Sequence, residues 1–420
     1  MSEDNKKNRT LAFCSDECDK IPVYKYVEYV NSRGFINWGE DNNYPDILND
    51  LMDRAPVHSS IVKGKAEMIS LGGFNKEVSP DTLSFIRNFF AGKTLDDILI
   101  KATFDLEKFN TFALRIHWNT DRTRISLIDY IDVAKLRYTV DGVNGNTFTA
   151  VKIEYRDNWN KNVISKNKRI FPIFSETERS EDEYIYVFGG FSSGSEIYSK
   201  ASYQAGLENI MEEAGIANFH LNNLRKGFFP TLHINISDTN PSNGEELDEV
   251  VSGYKKQFQG TEGSRQIFTV TDGSATNPTT ITPLNIDFSD SKFAERAKQV
   301  TQNIFSAHRV VCGELFGVKE PNGLNFTKDQ ILESYRLFQT TYINPRKNVM
   351  ERVFNIFGKI NSCDKLTIND YKIEFDPTYD MTSIIEIISN VSLTDIAKET
   401  LLSMIGIKEE EIKKLLTKNV

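Results

Sequence analysis

Two helical stretches decide the fold, YQAGLENIMEEAGIANFHLNNLRKG at residues 203–227 and SDSKFAERAKQVTQNIFSAHRVV at residues 289–311. Apolar residues recur along each at the spacing of one helical face. In the first stretch they are Leu207, Ile210, Met211, Ala214, Ala217, Leu221 and Leu224, and in the second Phe293, Ala297, Val300, Ile304 and Ala307. The first stretch closes with basic side chains and Gly227, which is typical of a helix end. We therefore predict two long helices.

The segment between these helices has the pattern of a small insert. Residues 231–236 and 266–270 have the composition of short strands, and 244–258 has that of a helix. The polar stretch 271–283, rich in Gly, Ser, Asn and Pro, predicts a loop. The sequence thus predicts a helix, a strand–helix–strand insert, and a second helix.

A third long helix follows a loop that contains two glycines and a proline. Thr327 and Gln330 have the spacing of a capping box at its start. Pro345 should kink this helix or end it near Asn344, because proline lacks the amide hydrogen that a helix interior needs. Beyond it, alternation at 367–375 predicts a strand, and 382–418 is predicted to be mostly helical.

The first 200 residues mix both kinds of periodicity. Helical spacing begins near Asp46 and again at Pro56, and continues in 80–91 and 94–108, where Thr94 and Asp97 resemble a capping box. Period-two alternation takes over in 112–155 and returns at 184–188, while 22–38 predicts a strand or arm. This pattern predicts an α+β body.

Composition excludes several classes of protein. The chain has 420 residues, of which 39% are hydrophobic, with 50 basic and 59 acidic side chains and a net charge of −9. Such a chain is neither disordered nor a small disulfide scaffold, and it is long enough for two or three sub-structures. Its acidity argues against a protein that grips DNA through a broad basic face.

The termini and cysteines point to a reducing interior. The charged N-terminus lacks the apolar core of a signal peptide, and no apolar run is long enough for a transmembrane helix. The four cysteines, at positions 14, 18, 312 and 363, are too few and scattered for a disulfide framework. Cys14 and Cys18 could begin a metal site, but no nearby pair completes it.

No motif for catalysis or for a cofactor stands out. Gly92-Lys93-Thr94 has the tail of a phosphate-binding loop, but Arg87 stands where the motif needs glycine, so we interpret it as a bend and a helix cap. None of the five histidines has metal-ligand spacing, and each is predicted to be a surface or packing residue. We therefore expect no enzyme, no metal and no cofactor.

The order of helix, insert, helix, loop and helix resembles the portal protein of tailed bacteriophages, in the group with the HK97-type portal fold. Four stretches, which together with the segments between them cover about residues 35–380, carry the resemblance. They are Trp38-Gly39-Glu40-Asp41-Asn42-Asn43-Tyr44-Pro45 with Ala55-Pro56-Val57-His58, then Asn218 to Pro230, Thr301 to Val318, and Tyr342 to Phe354. Many such portals have a proline-containing segment after the second long helix, where this chain has Val311-Cys312-Gly313.

The resemblance implies a subdivision of the chain. Residues 1–202 would form an N-terminal arm and wing, 203–226 and 289–315 two stem helices, and 227–288 a small α/β clip between them. A tunnel loop would occupy 316–325, a channel-lining helix and return to the wing 326–380, and a helical crown 381–420. The whole would be an α+β portal fold assembled as a ring.

The resemblance also implies a function. The protein would be a structural ring of twelve copies at one capsid vertex, through which double-stranded DNA passes, without sequence preference, during packaging and ejection. Its partners would be the terminase large subunit, a head–tail adaptor, and the major capsid protein or scaffold, with no membrane. It would be assembled in the host cytoplasm and reside in the virion. An acidic channel with few cations would let DNA slide.

The site residues that follow are those of the tunnel loop and one stem face. The loop residues are Phe316, Gly317, Val318, Lys319, Glu320, Pro321, Asn322 and Gly323, whose glycines would let the loop move. Arg296, Lys298 and Lys319 are the hypothetical DNA-facing cations. The alternatives are another ring-forming virion component such as a head–tail adaptor, a packaging ATPase or nuclease, and a host protein of unrelated α+β fold.

Overall fold

The computed structural model describes the chain in segments. These are residues 26–31, 33–87, 93–140, 150–159, 167–226, 231–238, 266–272, 280–284, 290–318, 327–373, 387–388, 393–404 and 412. The described helices are α1 (Tyr44–Arg54), α2 (Pro56–Ser70), α3 (Pro80–Arg87), α4 (Leu95–Phe109), α5 (Leu207–Lys226), α6 (Asp290–His308), α7 (Lys328–Phe338), α8 (Asn344–Ile360) and α9 (Asp395–Met404). Helices and strands come in separate runs along the chain, as in the predicted α+β fold.

The described strands form four small sheets. The strands are β1 (Glu28–Val30), β2 (Ile36–Trp38), β3 (Thr111–Trp118), β4 (Ile125–Ile131), β5 (Leu136–Val140), β6 (Ala150–Arg156), β7 (Lys168–Pro172), β8 (Glu183–Gly189), β9 (Thr231–Asp238), β10 (Gln266–Asp272) and β11 (Thr280–Leu284). Their orders are β1-β2, β4-β3-β8, β5-β6-β7 and β10-β9-β11. The predicted strand or arm at 22–38 is therefore a hairpin where the structure describes it.

Strand β3 divides the body into two cores because successive side chains point to opposite faces of a sheet. On one face Phe112, Leu114 and Ile116 pack with α4 and α8. On the other, Ala113 belongs to a larger core that gathers side chains from α1, α2, α5 and α6. The long helices thus share one core with the hairpin and α2, which fixes where their ends lie.

The stretch Trp38–Pro45 is a turn into α1 that is buried except at Glu40, Asp41 and, in part, Asn43. Asn42 takes a left-handed conformation with φ of 61°, which asparagine tolerates better than most residues. Its side-chain Oδ1 accepts hydrogen bonds from the Trp38 amide, at 3.1 Å, and from the buried Arg137 Nε. Pro45 lies in the first turn of α1, where proline costs no hydrogen bond.

The insert has one more strand than predicted. β9 and β10 are parallel, and β11 pairs antiparallel with β9 within the stretch that the sequence assigned to a loop. The loop prediction was wrong at 271–272, where β10 ends, and at 280–283, which belong to β11. The polar, proline-containing composition indicated a loop, yet a strand at the edge of a sheet accommodates a proline such as Pro283. The predicted helix at 244–258 lies outside the described residues.

Helix α6 ends at His308, three residues before the predicted Val311. Arg309 adopts a left-handed conformation with φ of 58°, and the Val310 amide donates to the Phe305 carbonyl at 2.9 Å. This geometry terminates a helix and is usually reserved for glycine. The apolar pattern continued past the true end, so sequence periodicity alone placed the boundary too late.

The predicted break near Pro345 takes a specific form. The chain leaves α7 through a π-helical segment, Gln339–Ile343, and Pro345 lies in the first turn of α8. Capping of α7 by Thr327 and Gln330 is confirmed. Because a π-helical turn holds an extra residue, it changes the direction of the side chains that follow it.

The predicted strand at 367–375 was wrong as far as 373. In its described part only Ile368 pairs, in an isolated bridge with Phe74 that is made by the hydrogen bonds from the Asn75 amide to the Thr367 carbonyl and from the Asn369 amide to the Gly73 carbonyl. The rest of the predicted strand and most of 382–418 lie outside the described residues, apart from α9 and a few neighbours. No described helix has the length and apolarity to cross a membrane.

Candidate functional site

The two long helices α5 and α6 pack against each other through polar contacts at their surface. Arg296 on α6 donates from Nε and Nη2 to both carboxylate oxygens of Glu212 on α5, at 2.6 and 2.7 Å. Asn303 donates to Asn209 at 2.9 Å. Arg296 is therefore engaged in holding two helices together. Lys298 is exposed and makes no hydrogen bond or ion pair among the described residues.

The same helices approach most closely near the end of α6. A Cβ atom built on Gly206, just before α5, would lie 2.4 Å from the Cβ of Ala307. Real carbon atoms do not come so close, so the position admits only glycine without a backbone shift. The small pair Gly206 and Ala307 thus fixes the end of α6 against the start of α5.

Beyond α6 the chain folds into a compact turn that leads to residue 319. Gly313 to Phe316 form one turn of 3-10 helix, and Gly317 follows in a left-handed conformation with φ of 70°. The Val318 amide donates to the Gly313 carbonyl at 3.1 Å. This hydrogen bond closes the turn, which forms a rigid base for the predicted loop.

Phe316 anchors that base on helix α2. Its ring lies over Gly64, where an added Cβ would come within 2.7 Å of it. The Phe316 carbonyl accepts a hydrogen bond from Ser60, and its ring meets Phe338 of α7 edge-on at 5.6 Å between centroids. Phe316 therefore faces the core, whereas Gly317 is exposed. Lys319, Glu320, Pro321, Asn322 and Gly323 lie outside the described residues.

A buried lysine joins the end of α6 to the π-helical segment. Lys65 of α2 is 1% exposed, and its Nζ donates to the His308 carbonyl at 2.6 Å. The same ammonium lies 4.0 Å from the centroid of the Tyr342 ring. Burial lowers the pKa of Lys65 from 10.5 to about 7, opposed by attraction to Glu107. The lysine therefore binds the helix end in place of water.

Tyr342 continues this network toward α4 and α8. Its hydroxyl donates to Glu107 at 2.6 Å, and Arg346 lies 3.4 Å from the other Glu107 oxygen. Its ring stacks on Phe338 with centroids 5.1 Å apart. Both sides of the predicted loop, Phe316 before it and α7 after it, thus end in one buried network. This arrangement can hold the two described ends of the predicted loop, Val318 and Thr327, in fixed positions.

The candidate motifs for enzymatic chemistry have other roles where they are described. Thr94 caps α4, accepting from the Asp97 amide at 3.3 Å, so the predicted helix cap is confirmed. The predicted bend at Gly92 lies outside the described residues. A cavity of about 380 Å³ between β4 and β7 contains Asp132 and Asp157, whose carboxylates already accept hydrogen bonds. Within the described segments, no cluster of three metal-ligating side chains occurs.

The site residues predicted from the sequence do not include those that hold the ends of the predicted loop. Lys65, Glu107 and Tyr342 carry no motif, and each contacts partners far away in the sequence. One signal was available, because Lys65 lies four residues after Ile61 and four before Ile69 on the apolar face of α2. A lysine at such a position must be buried with a partner or bend out to water.

Comparisons with known proteins find similarity to solved structures but not to sequences. The sequence matches no family model and no curated protein. A chain in the virion of a native gene transfer agent particle is 14% identical, with 88% of this chain and 93% of that chain covered and a TM-score of 0.47. A chain in the neck of the native particle, computed with C12 symmetry, is 13% identical, with 86% and 93% covered and a TM-score of 0.47.

A third similar structure is an HK97 family phage portal protein from Corynebacterium diphtheriae. It is 10% identical, with 75% of this chain and 92% of that chain covered and a TM-score of 0.43. The family that the sequence resembles is thus represented among the structures similar to this chain. With every one of these TM-scores below 0.5, the functional proposal rests on the chain's own residues.

Proposed function

We propose that this chain is a portal-like virion component, a subunit of a ring of about twelve copies whose opening conducts DNA. The observation that carries the proposal is the helix pair. α5 and α6 pack side by side, the β10-β9-β11 insert lies between them in sequence, and the chain leaves α6 through a rigid turn. A subunit built this way can present the insert at one end and the segment 319–326 at the other.

The surface of α5 supports assembly with other copies. Its apolar stripe is buried at Leu207, Ile210 and Ala214 but continues to Leu221, which is 45% exposed. A stripe wider than one chain can bury is expected where neighbouring subunits share helix faces. In a closed ring each copy would cover the exposed end of its neighbour's stripe.

The charge of the helix pair fits a conduit that does not hold DNA tightly. Arg296 is paired with Glu212, which leaves Lys298 as the proposed DNA-facing cation of the described part of α6. Each unpaired cation that contacts phosphate strengthens binding and its dependence on salt. Sparse cations on an acidic chain favour sliding over retention. Lys319 is the second proposed cation. The tunnel-loop role is proposed for residues 317–323 only, because Phe316, predicted as part of that loop, is buried in the core and anchors its base.

The remaining roles follow from the ring. The insert, at 227–288, would bind the terminase large subunit during packaging and a head–tail adaptor afterwards, and the wing would meet the capsid protein or scaffold. Residues 381–420 would face the capsid interior as a crown. No catalytic step is proposed, and the ring would be assembled in the host cytoplasm before its incorporation at the unique vertex of the capsid.

The test is the native mass of the purified full-length protein together with negative-stain images. We expect a closed ring of about twelve subunits with a central hole. Leu221→Glu should weaken assembly, because it places a charge where the neighbour is expected to pack, whereas Leu71→Glu at another exposed leucine should leave the ring intact. A monomer or dimer at every concentration would contradict the proposal.

A further inference from the structure

Two buried histidines join α2 to the end of α6. His58 and His308 are 0% and 2% exposed, and His58 Nδ1 lies 3.0 Å from His308 Nε2. One of these nitrogens must donate a proton to the other, since two protonated or two unprotonated nitrogens cannot form the bond. The contact therefore depends on the protonation state of the two rings, whichever of them is the donor.

The surroundings of the pair stabilise neutral rings. Tyr203 stacks on His308 with centroids 4.6 Å apart and meets His58 edge-on at 4.7 Å. His58 Nε2 has no hydrogen-bond partner among the described residues, so a proton added there would find no acceptor. A charged imidazole at this place would be buried without compensation, which is costly.

The charged groups around the pair oppose a further positive charge. Lys65 of α2 binds the carbonyl of His308 itself. Of the nearby carboxylates, Glu107 of α4 accepts from Tyr342, and Glu213 of α5 accepts from the Val57 amide through Oε1, while its Oε2 has no hydrogen-bond partner among the described residues. The remaining charged or titratable groups that act on Lys65 or pack nearby are Arg309 after α6, Arg346 of α8, Tyr203 and Tyr342.

Burial and the charge of Lys65 accordingly depress both imidazoles. They lower the pKa of His58 from 6.5 to about 3, and they hold the pKa of His308 well below its usual value, with His58 contributing there. When the contact opens to water each ring regains an ordinary pKa and takes up a proton below pH 6.5. Acid therefore favours the open state. The equilibrium constant for opening rises up to tenfold per pH unit for each ring.

We propose that the His58–His308 pair is an acid-released latch that holds the end of α6 on α2 at neutral pH and lets it separate when both rings are protonated. The release has a defined route, because α6 leads directly into the turn that carries Phe316, and Phe316 packs on α2 beside Gly64. Opening the latch should loosen the base of the segment 319–326. The inference stands apart from the proposed function, since it needs no ring and no DNA.

Hydrogen exchange of the full chain tests the latch. Exchange rates at pH 7.5 and pH 5.0, corrected for the intrinsic effect of pH, should show a loss of protection in peptides that cover 300–316. One titrating ring predicts an increase in opening of about 30-fold over this interval, and two rings predict up to about 1,000-fold. Peptides from α4, which contains no histidine, should keep their protection.

Substitutions separate the latch from a general effect of acid. His308→Phe keeps an aromatic ring on Tyr203 but removes one titrating group, and should reduce the acid response to about 30-fold at most. His58→Asn retains a donor toward His308 and should have the same effect. His117→Phe is the control, because His117 is a partly buried histidine of β3 outside the latch, near Glu183.

The outcomes are distinct. An acid response confined to 300–316 and reduced in both latch variants, but not in His117→Phe, supports the latch. An unchanged response in His308→Phe and His58→Asn overturns it, as does protection of 300–316 that is the same at both pH values. If neither variant folds, hydrogen exchange of the unaltered protein is measured over a series of pH values to test the latch. A slope above tenfold per pH unit, confined to this region, supports two rings, and an equal loss in all peptides overturns the latch.

Discussion

Helix α6 is held at its start by exposed polar contacts and at its end by a buried network. Near the start, Arg296 and Glu212 form an ion pair in which the arginine side chain is half exposed. At the end, Lys65 and His308 are both buried. Exposed ion pairs contribute little to stability because water and salt screen them. A buried polar network is costly to break, since each member leaves another without a partner.

The two ends of α6 therefore differ in how easily they can change position. At its start, the polar contacts of the helix with α5 can change at small cost. The end is fixed from several sides, by Gly206 just before α5, by Lys65 on α2 and by the turn that contains Phe316.

Phe316→Ala should give the largest loss. It removes a buried ring from contact with Gly64 and Phe338 and leaves a cavity, which costs about 3–5 kcal/mol in typical cores. Phe191→Ala is the matched control, because that ring is 94% exposed. Chemical unfolding of both variants measures the difference. Equal stability of the two variants would show that the fixed end is not anchored by Phe316.

Lys65→Met should change how stability depends on pH. The folded protein releases the Lys65 proton above about pH 7, whereas the unfolded chain keeps it up to 10.5. The free energy of unfolding should therefore rise between these values, by at most about 1.4 kcal/mol per pH unit. The variant should lack this rise. Lys298→Met, which removes an exposed lysine of α6, should retain the rise in the free energy of unfolding. If the rise persists in Lys65→Met, it does not come from the buried Lys65.

Gly206→Ala should cost about 1 kcal/mol, because the new methyl group collides with Ala307 and forces the helices apart. Gly215→Ala on α5 provides a control of opposite sign, since nothing lies within 4 Å of its added Cβ. Alanine there should stabilise the helix by about 0.5–1 kcal/mol. Thermal or chemical unfolding measures both. A gain in stability for Gly206→Ala would mean that Gly206 and Ala307 leave room for a methyl group between them.

Arg296→Ala should have the smallest effect, with an unfolding midpoint indistinguishable from that of the unaltered protein in 0.5 M salt. The ion pair is exposed, and salt of this concentration screens it further. Glu212→Ala, which removes the partner, should behave in the same way. A clear loss of stability in either variant would remove the contrast between the two ends of α6.

The sequence predicted the elements better than their ends. α5 and α6 were predictable because their apolar residues recur at helical spacing over several turns. The end of α6 was not, since Arg309 takes a conformation that its neighbours in space impose, with Lys65 bound to the carbonyl before it. β11 was missed because Pro283 is acceptable only at an edge, and the order of strands is not visible in the sequence.

The candidate site divides in the same way. The capping of α7 by Thr327 is local, involves residues three apart, and was predicted correctly. The contacts of Lys65 with His308 and of Tyr342 with Glu107 join residues more than 200 positions apart. Only the burial of a lysine on an apolar helix face hinted at the first, and nothing in the sequence hinted at the second.

The most direct test of the central claim is a cryo-electron microscopy map of the assembled full-length protein. We expect a ring in which Lys298 and the segment 319–326 face a central opening wide enough for duplex DNA, with Leu221 covered by the adjacent subunit. A ring with those residues on its outer rim, an opening too narrow for a duplex, or no ring at all would contradict a DNA-conducting role.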